Sequence, residues 1–597
     1  MESTRAGSLA RRAPWIAAAL AVLWFAHNLS RYFPNHLGRL GYDYGLFLPW
    51  MTGGYFWERV NGPLVPPEYL PSFCGGVPFL FNPQSVYWSL PQALMTVMPP
   101  LQSLLASWVL FGLAGLGGMY ALLRRVFGTS APAALLGGVI FLLNGFYTTR
   151  MIIGHFTFHG VMLTPLIAAL LFARPNAHKR LVRLTLRCCA AALLLAYLFY
   201  SGGTNTILPM MLALLILALL LAWTGGWHRV IPGLAAVTAL LWMAMCAYKL
   251  VPALAFAGNV VRPISLRMTG DLVTLLGGAG ISLFTPQVLA FLPADKLVLD
   301  RVEFEYGVGL VPLLAILAGL WTAYRRKHLA LPFTKGRWPL VAAMALLLVV
   351  PVLLNWDALG MRALVLHLPV VKMMSVMLRF WFVYVPLLCV LTALLLDYLC
   401  ADAGRRAWLA TAAIALTLAQ AASTDMRWYA DQTYDPAPLL AAHARVAAGG
   451  AVPAITRIAD PWEADPALQT AGSGRNDAVV KGISDVPCYE PMFGYRMEVF
   501  RQGRLASGPV LQERNGLLNL KNPACYTFAE ANMCRPGDEF TAAQRPQAEA
   551  FAQYKPFAHA WPTRQYVAAG VSLTVFLLVV GMALSAALLL LSRRRTA

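Results

Sequence analysis

The chain has 597 residues, 58% hydrophobic and 12% charged, with a formal net charge of +20 and a mean hydropathy of +0.60. Soluble globular chains carry roughly 25% charged residues, so a water-soluble enzyme, a disordered scaffold and a nucleic-acid-binding domain are excluded. The composition is that of a polytopic membrane protein, and it leaves open where the positive charge sits.

Apolar runs of about 17–25 residues mark membrane helices, because lipid offers unpaired backbone groups no partner. Such runs fall at 13–31, 100–122, 131–148, 155–173, 187–201, 207–224, 231–253, 308–324, 338–355, 379–399, 406–422 and 566–592, which predicts about twelve spans in a mainly α polytopic membrane architecture. Basic residues cluster in every second loop. Arg5, Arg11 and Arg12 precede the first span, and Arg124 and Arg125 follow the second. The pattern continues through Arg174–Arg187, Arg229, Arg325–Lys335, Arg405 and Arg406, and Arg593–Arg595. Lys and Arg near helix ends mark the cytoplasmic side, so both termini are expected there, in a bacterial inner membrane. Most of the charge is thus a topology signal. The first run continues into His27, Asn28 and Arg31 without a small-x-small cleavage site, so it reads as an uncleaved anchor.

That orientation places residues 32–99, 148–155, 256–307 and 423–564 outside the cytoplasm. Three units follow: a membrane module over 1–422, an extracytoplasmic domain over 423–564, and a final helix with a basic tail over 565–597. The 423–564 segment has 14 basic and 15 acidic residues, and its short apolar runs Val452–Ile458 and Ala478–Ile483 predict a small α+β domain. Four cysteines lie outside: Cys74, Cys488, Cys525 and Cys534. Cys525 and Cys534 bracket a short segment and are the expected disulfide; a Cys74–Cys488 pairing stays open. No CxxC or histidine pair accompanies them, so zinc is not expected.

Residues 40–93 hold Asp43 among aromatics, then Asn61-Gly62-Pro63, Cys74-Gly75-Gly76-Val77-Pro78-Phe79 and Asn82-Pro83-Gln84. Glycine and proline at this density predict a fixed, non-helical path over the membrane surface. This loop resembles that of the YfhO-like bacterial membrane proteins, which belong to the GT-C superfamily of polytopic glycosyltransferases. The resemblance extends to residues 144–160, 303–315 and 377–381, in order along the membrane part.

The resemblance implies transfer of a sugar from a polyprenyl-phosphate carrier to a glycan, lipid or protein acceptor outside the cytoplasm, with inversion. It makes Asp43 the candidate base, since an attacking hydroxyl must lose its proton to a positioned group. Tyr44 and Gly45 follow Asp43, so a two-acid motif is missing and neither a metal nor another cofactor is expected. His155 is a candidate partner of Asp43 or of the donor phosphate. His159, four residues on, shares its face if the segment is helical. Arg150 and Arg379 stand at outer helix ends against the positive-inside trend and are candidate phosphate ligands, since guanidinium forks match phosphate oxygens. Arg150 also has the plainer reading of a contact to membrane lipid.

Glu303 and Glu305 precede the eighth span; Glu305 is a candidate second catalytic acid, and an ion pair with Arg301 is the plainer reading. Glu303, His159, Tyr44, Asn82 and Gln84 are candidate substrate contacts, although an interfacial aromatic belt predicts the same tyrosine. Gly112, Gly115 and Gly118 read as helix-packing positions. The chain has neither a Walker loop nor a dinucleotide fingerprint. The competing function is a transporter or flippase of a lipid-linked saccharide. That reading expects internal repeats and mid-membrane charges, and no repeat is evident.

Overall fold

A computed structural model describes residues 2–174, 180–259, 271–291, 301–325, 338–358, 360–368, 371, 374, 376–424, 429, 432–459, 475–486 and 505–591. Apolar sequence becomes helix over most of the membrane part. The main helices are α1 (Glu2–Ser30), α2 (Tyr44–Asn61), α3 (Pro100–Arg125), α4 (Ala131–Leu142), α5 (Gly145–Ile153), α6 (Arg180–Tyr200) and α7 (Thr204–Trp223). They continue with α8 (Val230–Asn259), α9 (Leu310–Arg325), α10 (Trp338–Leu353), α11 (Tyr384–Leu399), α12 (Ala403–Ala422) and α13 (Thr563–Leu591).

Among the described residues, eight helices are long and apolar enough to cross a membrane, rather than the twelve expected. The shortfall is in length and charge. Phe156–Phe172, α9 and α10 are apolar but shorter; a 16-residue helix such as α9 reaches only ~24 Å at ~1.5 Å per residue, against a hydrocarbon core of ~30 Å. Helix α12 has 20 residues but carries Arg405 and Arg406 in its first turn. The protein remains multi-pass.

Two further expectations change. The segment after α1 contains a helix where none was expected: α2 runs through Pro49, Gly53 and Gly54 and is buried from Tyr44 to Trp57, while most of residues 62–89 is non-helical. Local propensity argued against a helix there, but packing decides. A Cβ on Gly53 would meet Ser72 Oγ at 3.1 Å, and one on Gly54 would meet Tyr87 at 3.2 Å. The 256–307 segment likewise contains a helix, Leu272–Phe284. The glycines of α3 are packing positions: a Cβ on Gly112 would stand 2.5 Å from Phe25, and one on Gly118 would stand 2.7 Å from the Leu166 backbone.

The strands are short. β1 (Tyr69–Leu70) and β2 (Val77–Pro78) form a hairpin in the loop after α2. β3 (Arg457–Ala459) pairs parallel with β4 (Ile483–Asp485) and antiparallel with β5 (Gly508–Pro509). β6 (Glu513–Arg514), β7 (Leu517–Lys521) and β8 (Glu539–Thr541) form an antiparallel sheet in that order. A small β-rich region thus precedes α13. Of the predicted apolar runs, Val452–Ile458 is extended only from Arg457, and Ala478–Lys481 is a 3-10 turn.

This region is joined to the loop after α2 by hydrogen bonds. Lys521 N–H donates to Gly75 O at 2.8 Å, Gly75 N–H to Ser484 Oγ at 3.0 Å, and Ser72 Oγ to Tyr554 OH at 3.0 Å. Cys525 and Cys534 are disulfide-bonded. Cys74 is also disulfide-bonded, and Cys488 lies outside the described residues.

Candidate active site

Two backbone crossings set the position of Asp43. The loop before α2 passes over the turn after α5 so closely that a Cβ on Gly41 would lie 2.3 Å from Ile153 Cα. Gly154 has φ +99°, and a Cβ there would meet Tyr44 N at 2.5 Å. With both side chains absent, Asp43 N–H donates to Ile153 O at 3.1 Å. Asp43 occupies the N-cap position of α2, but its carboxylate makes no cap hydrogen bond. It turns instead to His155, whose Nε2 lies 2.7 Å from Asp43 Oδ2.

From His155 a chain of contacts runs inward. Arg150 Nη1 stands 2.7 Å from His155 Nδ1, and Arg150 Nη2 donates to Glu303 Oε2 at 2.6 Å. Glu303 Oε1 accepts from Arg379 Nη2 at 2.7 Å. Asp43, His155 with Arg150, Glu303 and Arg379 come from four separate stretches of sequence. The Phe158 ring supports them: the guanidinium carbons of Arg379 and Arg150 lie 4.9 and 5.2 Å from its centroid, and His155 stacks on it. Such contacts favour cations over an aromatic face.

A guanidinium has no lone pair to offer, so His155 Nδ1 accepts from Arg150 and Nε2 carries the proton donated to Asp43. Burial lowers the His155 imidazole below its usual value, and Asp43 opposes this only in part. Burial alone would raise the Glu303 carboxyl, but Arg150 and Arg379 outweigh it and hold it well below the usual carboxylate range. Arg150 has no exposed surface, whereas the side chains of Asp43, His155 and Arg379 are 10%, 11% and 13% exposed. The accessible edge of the cluster therefore belongs to those three. Arg150 is enclosed and pairs with His155 and Glu303.

Other candidates lie elsewhere. Glu305 accepts from Arg301 Nε at 2.9 Å. His159 is fully buried; its Nδ1 donates to Phe156 O at 2.8 Å and its Nε2 accepts from Tyr197 OH at 2.6 Å. That segment is a 3-10 turn, so His155 and His159 do not share a helical face. Tyr44 is a core residue whose hydroxyl donates to Met151 O at 2.6 Å and accepts from Trp108. Asn82 Oδ1 accepts from Gln84 N–H at 2.8 Å within its own turn, and Gln84 is buried beside it.

Sequence reasoning missed Gln432 and Lys249. Gln432 Oε1 accepts from Tyr42 N–H at 3.2 Å, and Leu40 and Tyr434 form an antiparallel bridge, so residues 432–435 clamp the Asp43 loop. Nothing local marks a glutamine for that task. Lys249 was legible as a lysine inside the 231–253 run. It is fully buried, and its Nζ donates to Phe199 O at 3.2 Å and Tyr200 O at 3.4 Å, at the carbonyl end of α6. Among the described residues no group of three His, Cys, Asp or Glu side chains is placed to hold a metal ion.

No protein-family model and no curated protein matches the chain. Among solved structures, the chain is similar to the crystal structure of the Archaeoglobus fulgidus oligosaccharyltransferase in complex with Zn and sulfate, at 16% identity and a TM-score of 0.33. The match covers 68% of this chain, and the chain spans about half (53%) of that protein's length. A likeness of that size carries no argument about this chain's activity.

Proposed function

We propose that this multi-pass membrane protein is a GT-C-type glycosyltransferase that moves a sugar from a polyprenyl-phosphate donor to an acceptor hydroxyl outside the cytoplasm. The sidedness follows the charge pattern, and the ordered motifs resembling YfhO-like proteins support the reading. The observation that carries it is the convergence of Asp43, His155, Arg150, Glu303 and Arg379 in one hydrogen-bonded chain.

In this reading the acceptor oxygen attacks the anomeric carbon, the bond from that carbon to the phosphate oxygen breaks, and the hydroxyl proton passes to Asp43. His155, fixed as the Nε2–H tautomer by Arg150, orients the carboxylate. Arg379 lies at the accessible edge and faces the departing polyprenyl phosphate, with charge-assisted hydrogen bonds matching its oxygens. Glu303 holds both guanidiniums in place.

The test uses purified protein in nanodiscs with polyprenyl-phosphate sugars and an acceptor mixture, reading release of polyprenyl phosphate. Asp43→Asn is expected to cut release by about 10²–10⁴-fold with unchanged thermal unfolding. Turnover at the wild-type rate removes Asp43 as the base.

A further inference from the structure

The β-rich region carries a groove that none of the five residues of the Asp43 chain lines. It runs between the C-terminal end of α2, the end of the Ala437–Ala447 helix, the run 449–454 that leads into β3, and residues 553–555. Its volume is about 530 Å3, within the ~300–1,000 Å3 usual for ligand sites. Arg59 and Val60 contribute from α2. Arg59 is sixteen residues beyond Asp43 in the chain, so at ~1.5 Å per residue the groove opens ~24 Å from Asp43.

Two features of the wall point to an occupant. The first is charge. Arg59 and Lys555 line the groove, and both are exposed. Among the described residues neither makes an ion pair, and no Asp or Glu lines the groove with them. The second feature is the main chain. Among the described residues the N–H groups of Ala451, Val452 and Ala454 make no hydrogen bond, and Pro453 has none to offer. Pairing starts at the next residue: Ile455 N–H donates to Ala552 O and Thr456 N–H to Gly482 O, each at 2.8 Å. The unpaired stretch therefore coincides with the groove. Val452 and Ala454 are half-buried, where a main-chain donor left unmade is costly.

We infer that this groove docks an acidic peptide segment of a partner protein, laid along residues 451–454. Main-chain N–H and C=O groups in a row call for acceptors and donors in a row. A peptide backbone offers both, as in strand addition, whereas a small anion offers acceptors alone. Carboxylate side chains of the peptide meet Arg59 and Lys555 in charge-assisted hydrogen bonds, and apolar side chains between them meet Val60 and Val452. The groove stands a helix length from Asp43, so its occupant is a partner and not a reactant. Docking survives Asp43→Asn, whatever that substitution does to turnover.

Docking is read by fluorescence anisotropy on the full chain in phosphatidylcholine nanodiscs. The probes are a labelled peptide of alternating Glu and Val, its Lys–Val counterpart, and the Glu–Val peptide methylated at its backbone nitrogens. Citrate is the small-anion competitor. The Glu–Val peptide is expected to bind, and the other two peptides to bind at least tenfold more weakly. Arg59→Gln combined with Lys555→Gln is expected to weaken binding at least tenfold with unchanged thermal unfolding. Arg514→Gln, an exposed arginine outside the groove, and Asp43→Asn are expected to leave it unchanged. The inference is overturned if the Glu–Val peptide does not bind the wild type, or if the Lys–Val or N-methylated peptide binds as tightly. It is equally overturned if citrate binds in its place with the same affinity, or if the folded Arg59→Gln, Lys555→Gln variant binds as the wild type does.

Discussion

Arg150 donates to His155 Nδ1 across 2.7 Å, and this contact fixes which histidine nitrogen faces Asp43. A second proton on the imidazole would point an N–H at the guanidinium and break the arrangement. The pairing therefore makes the cluster sensitive to acid.

Acidification is expected to destabilise the protein in two steps. Burial lowers the folded-state His155 value, so just below about pH 6.5 the unfolded chain binds a proton that the folded protein excludes. The stabilisation present above that pH is lost as the pH falls toward the folded value. Glu303 adds a second loss below about pH 4.5, because Arg150 and Arg379 depress its carboxyl. Thermal unfolding between pH 7.5 and 4 checks this. His155→Gln is expected to abolish the first step and flatten the acid limb of the transfer rate.

Arg150→Met leaves Glu303 with one cation fewer and His155 without its donor. Removing one partner of a buried pair costs about 3–5 kcal/mol. A large fall in unfolding temperature is expected, partly recovered by adding Glu303→Gln, which removes the uncompensated charge. A wild-type melting profile for Arg150→Met would show that the chain does not bear on stability.

Gly154→Ala tests the crossing that brings Asp43 to His155. The φ of +99° disfavours any Cβ, and the new methyl would meet Tyr44 N at 2.5 Å, so the loop must move. We expect at least a tenfold loss of transfer from a change that removes no functional group. Gly62→Ala is the control: its φ is +83° but nothing lies within 4 Å of its Cβ, so it should carry the backbone penalty and spare the rate.

The Cys525–Cys534 bond closes a loop of sequence separation 9. Loop-closure entropy assigns such a bond about 3 kcal/mol. A Cys525→Ser, Cys534→Ser double variant is expected to unfold at lower temperature while retaining turnover, since the bond lies within the β-rich region. Loss of turnover at temperatures where the variant is still folded would tie that bond to the site.

The sequence displayed its apolar runs, and with them the eight helices long and apolar enough to cross a membrane, because lipid-compatible length is a local property. Helix α2 was hidden for the opposite reason: Pro49, Gly53 and Gly54 read locally as breakers, whereas distant residues press on them. Asp43, His155, Arg150, Glu303 and Arg379 were each visible as polar residues out of place. The contact of His155 with Asp43 was among the expectations, but the chain beyond it was not, since Arg150 and Glu303 are 153 residues apart, and no periodicity reports such a distance. The same blindness gave His159 a shared face with His155. Spacing of four means one face only on an α-helix, and Phe156–Leu163 is a 3-10 turn.

The clamp of Gln432 on the Asp43 loop joins residues 390 positions apart. A ribosome delivers Asp43 early and Gln432 only after most of the helices have been made. A nascent chain thus holds most of its membrane helices before the Asp43 loop meets the segment that clamps it, and that loop makes its last contacts only once residues 432–435 are made.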